Sequence, residues 1–201
     1  MKNNHNGEIL MNKIFDPKKK LTLDNPEIRE ILPPENILQK AELKTGDVAG
    51  NIGCGIGYFT IPMAKIVGSL GKVYAFDISI EMLETLRNRI EAENLQNVII
   101  LHSEQYSIPI PSETLDFALL SNVLHEVDDY LRFLNEIKRI LKPAGKLTII
   151  DWLDKDTGSG PSLHERLSEK FIRDLLSNTN FEIEHYETIA DKFHLFICMR
   201  K

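Results

Sequence analysis

Short apolar runs and amphipathic stretches of helical spacing take turns along most of this chain, and their order predicts its architecture. The run "DVAGNI" predicts a first strand, and "KVYAFDI", "NVIILH", "LDFALLSN" and "KLTIIDWL" predict four more. The last of these is almost continuously apolar, as in a strand covered on both faces. Between them lie helical patterns. Tyr58 to Val67 accepts Pro62 in its first turn. "SIEMLETLRNRIEAEN" has Ser79 as N-cap and Met82, Leu83, Leu86 and Ile90 on one face. "DYLRFLNEIKRILKPAG" is closed by Pro143 and Gly145. Before the first strand, Asn25 and Pro26 open a helix that Pro33-Pro34 stops, and a second is expected from Glu35 to Leu43. After "TGSGPS" come a helix from Ser168 to Asn178 and two strands, "FEIEHYET" and "KFHLFICMR", with no helix between them.

Strands that alternate with helices imply crossover connections and a mostly parallel sheet, whereas the last two strands must pair as an antiparallel hairpin. In such a sheet, ligands sit beyond the carboxyl ends of the strands where the strand order reverses, so the residue after each strand is a candidate site residue. The first strand is followed by "GCGIG", with Gly53, Cys54, Gly55 and Gly57; the second ends in Asp77, about twenty residues on, the spacing of a carboxylate that grips a ribose diol. Glu104 and Gln105 follow the third strand, and Ser121, Asn122, His125 and Glu126 follow the fourth. Dinucleotide sites use G-x-G-x-x-G, in which the third glycine lets the helix approach the strand. Here Tyr58 stands three past Gly55, which favours a nucleoside without a pyrophosphate over NAD.

Composition narrows the partners. At 201 residues with a net charge of −6, the chain lacks the basic excess of a general nucleic-acid surface. Two cysteines, Cys54 and Cys198, suggest neither a disulfide framework nor a metal cluster, so no metal is expected. The opening "MKNNHNGEILMNK" has no signal-peptide core and no run approaches a membrane span, so a cytoplasmic setting without membrane contact is expected. Residues 1–30 are expected to form a flexible arm, able to fold over the pocket as a lid, ahead of one domain over 31–201.

The motifs "NIGCGIGYFT", "AFDIS", "SEQYSIPIPSETLDFALLSNVLHEV" and "LKPAGKLTIIDW" resemble, in order, those of class I S-adenosylmethionine-dependent methyltransferases of the type 11 group, over about residues 30 to 200. The resemblance implies a doubly wound, seven-stranded, mostly parallel α/β sheet with a reversed last strand, and S-adenosylmethionine as cofactor. It places Gly53, Gly55 and Gly57 at the methionine moiety, with Cys54 between them, and Asp77 on the ribose. Ile78 would pack on the adenine, Glu104 and Gln105 would lie at its edge, and Ser121 and Asn122 near the sulfonium. The family's usual acidic residue two positions before the first glycine is replaced by Asn51, which keeps hydrogen-bonding capacity but loses a charge, so weaker cofactor binding is expected.

Methyl transfer from a sulfonium needs an acceptor lone pair held in line, and a base only where the acceptor sheds a proton. No catalytic residue is fixed by the sequence. His125 is the candidate, with a helix-start or packing role its plainer account. "SNVL" replaces the N-P-P-Y type expected for base amines, and no Cys follows the fourth strand for covalent attack on a pyrimidine. A small-molecule acceptor remains. His164, Arg166 and Tyr186 are later positions able to reach it, though surface roles account for each more simply. Two other readings stand beside this one: a nicotinamide-dependent oxidoreductase, and a cofactor-binding module without catalysis.

Overall fold

The computed structural model describes residues 23–201, and the reading made above for residues 1–22 lies outside them. Asn25 caps α1 (Pro26–Ile31) by accepting the Ile28 N–H at 3.0 Å, with Pro26 at the first helical position. The boundary expected after residue 30 therefore falls inside a helix. α2 (Pro34–Lys40) ends earlier than expected: Glu42 turns left-handed at φ +60° and the Leu43 N–H closes on Leu38 O at 3.0 Å.

β1 (Val48–Ile52), α3 (Thr60–Val67), β2 (Lys72–Asp77), α4 (Ile80–Ala92), β3 (Val98–His102) and β4 (Leu115–Ser121) follow in the expected alternation. α3 starts two residues later than its pattern predicts, and Pro62 sits in its first turn. Ser79 and Asp129 cap α4 and α5 (Tyr130–Ile140) by accepting the N–H groups of Met82 and Arg132. β5 (Leu141–Trp152) begins before the expected "KLTIIDWL", because Leu141 already pairs with Leu115. Register then slips, so that Lys146 faces Phe117 and the Pro143–Gly145 turn bulges from the strand. α6 (Glu169–Asn178) leads to β6 (Phe181–Ile189) and β7 (Phe193–Arg200). Ala190 and Asp191, at φ +49° and +55°, carry the left-handed turn of the three-residue connection to β7, which the Lys192 N–H closes on Ile189 O at 2.9 Å.

The seven strands form one sheet in the order β3-β2-β1-β4-β5-β7-β6, with β7 antiparallel to both neighbours. Side chains alternate across it. Leu119, Phe117, Val73 and Ile150 pack under α2 and α3, while Leu120, Ala118 and Ile149 pack against α5 and α6. Chain order reverses between β1 and β4, which opens a crevice beyond their carboxyl ends. Among the described residues no helix is long and apolar enough to cross a membrane.

Candidate functional site

That crevice is a cavity of about 1080 Å³, lined by the loops after β1 to β5 and by residues of the segment 23–32. This lies at the upper end of the volumes of ligand sites, ample for a nucleoside. The glycine loop forms one wall. Gly53 has φ +70°, and a Cβ there would lie 2.3 Å from Val123 Cγ2, so the backbone runs hard against the loop after β4. Gly55 lines the cavity and its N–H donates to Asp77 Oδ2 at 2.8 Å. Gly57 does not line it. A Cβ at Gly57 would stand 2.4 Å from Leu86 Cδ1, so glycine is required there for α4 to pack on the loop.

Asp77 is fixed by two backbone donors, Gly55 N–H and Ser79 N–H, each at 2.8 Å. Burial pushes its carboxyl up, and the Ser79, Gly55 and Ile78 N–H groups pull it partway back. The carboxylate keeps acceptor capacity for a ligand hydroxyl. Ile78, Glu104 and Gln105 share the cavity with Asp77. Glu104 is held by paired backbone bonds to Ser107, and Gln105 Nε2 donates to Glu126 O at 3.4 Å. Cys54 lines the wall too, but burial and then the Asp77 charge push its thiol well above its ordinary value, so it stays protonated.

At the floor, Asn51 is 2 % exposed and its Nδ2 donates to Thr60 Oγ1 at 2.9 Å. Ser121 ends β4, and Asn122 takes a left-handed φ of +56°. The Asn122 Oδ1 is buried with no hydrogen-bond partner, a cost of about 1–3 kcal/mol unless a ligand supplies a donor.

The far end carries the residue able to move a proton. His125 lies in the short turn Leu124–Glu126 and is 6 % exposed. Its Nδ1 lies 2.6 Å from Asp151 Oδ1, and its backbone N–H donates to Asp151 Oδ2 at 3.1 Å. Burial pushes the imidazolium down, but Asp151, then Glu126 and Glu165, outweigh it and raise the His125 pKa above its ordinary value. With Nδ1–H given to Asp151, Nε2 holds the ring's lone pair. Asp151, the last residue but one of β5, escapes sequence reading, although the rule that marked Asp77 applies equally to the end of β5.

Trp152 and Phe193, with ring centroids 4.4 Å apart, line this end as well. Three positions singled out from the sequence do not reach it. Arg166 knits the loop after β5, donating to Pro161 O, Leu153 O and Ser159 O. The Tyr186 hydroxyl lies 3.0 Å from His194 Nδ1, and His164 lies near Ser162.

Comparison with known proteins follows the same lines. A family model described as a methyltransferase domain matches residues 51–149. A crystal structure of an S-adenosylmethionine-dependent methyltransferase from Aquifex aeolicus is 33% identical, with a TM-score of 0.90, over 94% of this chain and 100% of that one. A demethylmenaquinone methyltransferase from Geobacillus sp. is 32% identical over 117 residues, 58% of this chain and 50% of that protein. One from Bacillus mycoides is 34% identical over 110 residues, 55% of this chain and 46% of its own. The chain thus spans about half the length of the curated relatives it matches. These likenesses do not favour the oxidoreductase reading or that of a module without catalysis.

Proposed function

This chain belongs to the class I, type 11 S-adenosylmethionine-dependent methyltransferases, and from that premise we propose that it methylates a small aromatic acceptor carrying an acidic hydroxyl, with His125 as general base. One observation carries the reading: His125, backed by Asp151, opens on the same cavity as Asp77 and the glycine loop.

The chain's own residues suit the cofactor. Among the described residues, five carboxylates line the cavity, Glu27, Asp77, Glu104, Glu126 and Glu165, against one lysine, Lys192, a field that favours a cationic ligand. The buried, unpartnered Asn122 Oδ1 suits an ammonium donor. Asp77 would hold the ribose hydroxyls, Ile78 and Gln105 the adenine, and Asn51, Gly53, Ser121 and Asn122 the methionine end. When bound, S-adenosylmethionine supplies an electrophilic methyl group on a sulfonium.

The protein's part is then orientation, dryness and one proton. Trp152, partly exposed and backed by the buried Phe193, offers an aromatic face against which a planar acceptor stacks. The His125 Nε2 takes the acceptor's hydroxyl proton as the oxygen attacks the methyl carbon and the C–S bond breaks to leave a thioether. Where a ring carbon attacks instead, that carbon's own proton then passes to the freed oxygen and restores the ring. The resulting imidazolium is stabilised by Asp151 and by Glu126, whose Oε1 lies 4.0 Å from Nε2. The curated relatives are named for demethylmenaquinone, a quinone whose reduced, quinol form would have such a proton and such a ring.

Calorimetric titration with S-adenosylmethionine and S-adenosylhomocysteine, on the parent and on Asp77→Ala, tests the cofactor half. Binding weakened about a hundredfold by the substitution is expected, since it strips a carboxylate that accepts several hydrogen bonds. Mass spectrometry of 1,4-naphthoquinol incubated with enzyme and cofactor tests the acceptor half. A singly methylated product is expected, and its absence from His125→Ala.

A further inference from the structure

Arg89 lies on α4 outside the cavity, yet it joins two of the cavity's walls. Its Nη1 donates to Ile56 O at 3.0 Å, inside the glycine loop, and its Nη2 donates to Asp24 Oδ2. Asp24 also accepts from Arg29 Nε and Nη2 at 2.7 and 2.9 Å, and its side chain is only 10% exposed. The two guanidinium groups hold its carboxyl below the usual range although burial pushes it up.

The segment 23–32 crosses the glycine loop here. Leu23 Cδ1 would stand 3.6 Å from a Cβ on Gly55, and Ile28, Ile31 and Leu32 continue along the cavity wall. At its far end the Tyr58 hydroxyl donates to Leu32 O at 2.7 Å, just before Pro33 and Pro34 stiffen the chain. Between these two fastenings α1 has six residues and buries none of them fully. Ile28 and Ile31 pack only partly buried against the core, and so short a helix gains little from propensity, so its place depends strongly on its end contacts.

We propose that Arg89 is a positioning residue that couples cofactor occupancy to closure of the 23–32 strap: one guanidinium holds both the loop that cradles the cofactor and the strap that covers it. The strap swings about its Leu32 fastening, ahead of Pro33–Pro34, when the Asp24–Arg89 contact breaks, and bound nucleoside leaves by that route. The proposal rests on the cofactor reading above.

The test uses the full chain and S-adenosylhomocysteine. Dissociation is followed by stopped-flow displacement, and amide exchange is read for residues 26–32. Asp24→Asn, which leaves the glycine loop untouched, and Arg89→Gln should each release the ligand about tenfold faster, the scale of one charge-assisted contact. The double variant should add much less than the sum of the two, because both remove the Asp24–Arg89 contact. Arg89→Lys should restore part of the slow release. Ligand should protect residues 26–32 in the parent and much less in the variants, while β1 and β4 stay protected in all. Parent-like release and protection in Asp24→Asn would overturn the latch and leave the cofactor reading intact. No binding of S-adenosylhomocysteine by the parent would overturn both.

Discussion

His125 and Asp151 meet through two contacts at once: the ring Nδ1 lies 2.6 Å from one carboxylate oxygen, and the His125 backbone N–H donates to the other at 3.1 Å. The second contact fixes where the ring begins, and the first fixes which way it turns. Asp151 is wholly buried and also accepts the Trp152 N–H at 2.8 Å, so the pair is held by β5 itself. Its place matches that of a base and its orienting carboxylate.

His125→Ala should lower turnover of a hydroxyl-bearing acceptor about 100-fold or more, the usual worth of a positioned base, and leave S-adenosylhomocysteine affinity within a few-fold. The base must be neutral to act, so kcat/KM should rise with pH through the raised His125 pKa. Asp151→Asn removes the main raising partner, which should move that rise to lower pH. Linkage gives the sign for stability. The raised pKa contributes stability fully present below the ordinary value of 6.5 and lost as pH rises through the folded-state value. The stability gap between parent and Asp151→Asn should therefore be widest in acid. Coincident pH profiles for the two proteins would remove the dyad.

Gly53→Ala should destabilise by about 2 kcal/mol, combining a left-handed φ of +70° with a methyl placed 2.3 Å from Val123 Cγ2. In a chain of this size that lowers Tm by about 4–8 °C. Val123→Ala in the same protein should recover the steric part and not the backbone part. Thermal melts of the two singles and the double measure the split.

Most of what the strand-end rule could reach was legible. Asp77 and the residues after β1 and β4 lie within a few positions of a recognisable strand, so spacing alone marked them. Gly57 looked like its neighbours, but its reason is the Leu86 side chain on α4, a contact that no glycine pattern separates from cofactor approach. Asp151 needed the sheet order. It follows Ile150, which pairs with Ser121, and so lands beside the loop that carries His125; a linear reading has no sign of that neighbour. The Asp24–Arg89 contact is further still from view. Its partners are 65 residues apart, Arg89 on α4 and Asp24 one residue ahead of the α1 cap, and no local pattern links them.

Asn51→Asp should tighten S-adenosylmethionine binding about tenfold by restoring a negative charge at the floor, at a cost to the ligand-free protein. Residue 51 is 2 % exposed, so the new carboxylate keeps only Thr60 Oγ1 as a partner, and apo stability should fall by about 1–3 kcal/mol. Calorimetry and urea melts measure the two halves. Affinity no better than the parent's would contradict the charge argument.

Gly160→Ala probes the acceptor wall. Its φ is +94°, and a Cβ would lie 2.7–2.8 Å from three atoms of the Trp152 ring. Since Arg166 braces the loop by its carbonyls, the ring must give way. The Michaelis constant for 1,4-naphthoquinol should rise about tenfold, the reach of a small displacement in a positioned site, with S-adenosylhomocysteine affinity unchanged. A loss confined to cofactor affinity would place Trp152 in the wrong half of the cavity.

Asn122 combines two costs that the folded chain bears without a ligand: a left-handed backbone at φ +56° and a buried Oδ1 with no partner. Its N–H donates to Ile150 O at 2.8 Å, so β4 and β5 hold the residue in place. Glycine relieves both costs and keeps that backbone bond. Asn122→Gly should therefore stabilise the ligand-free protein by about 1 kcal/mol, or about 2–4 °C in Tm for a chain of this length. Saturating S-adenosylmethionine should reverse the order. The parent gains a donor for Oδ1 while the variant has no acceptor to offer, and a ligand stabilises in proportion to its affinity for the folded state. Melting curves with and without S-adenosylmethionine decide the matter. A variant that gains as much from the ligand as the parent would detach Asn122 from the cofactor and leave its orphaned oxygen without a use.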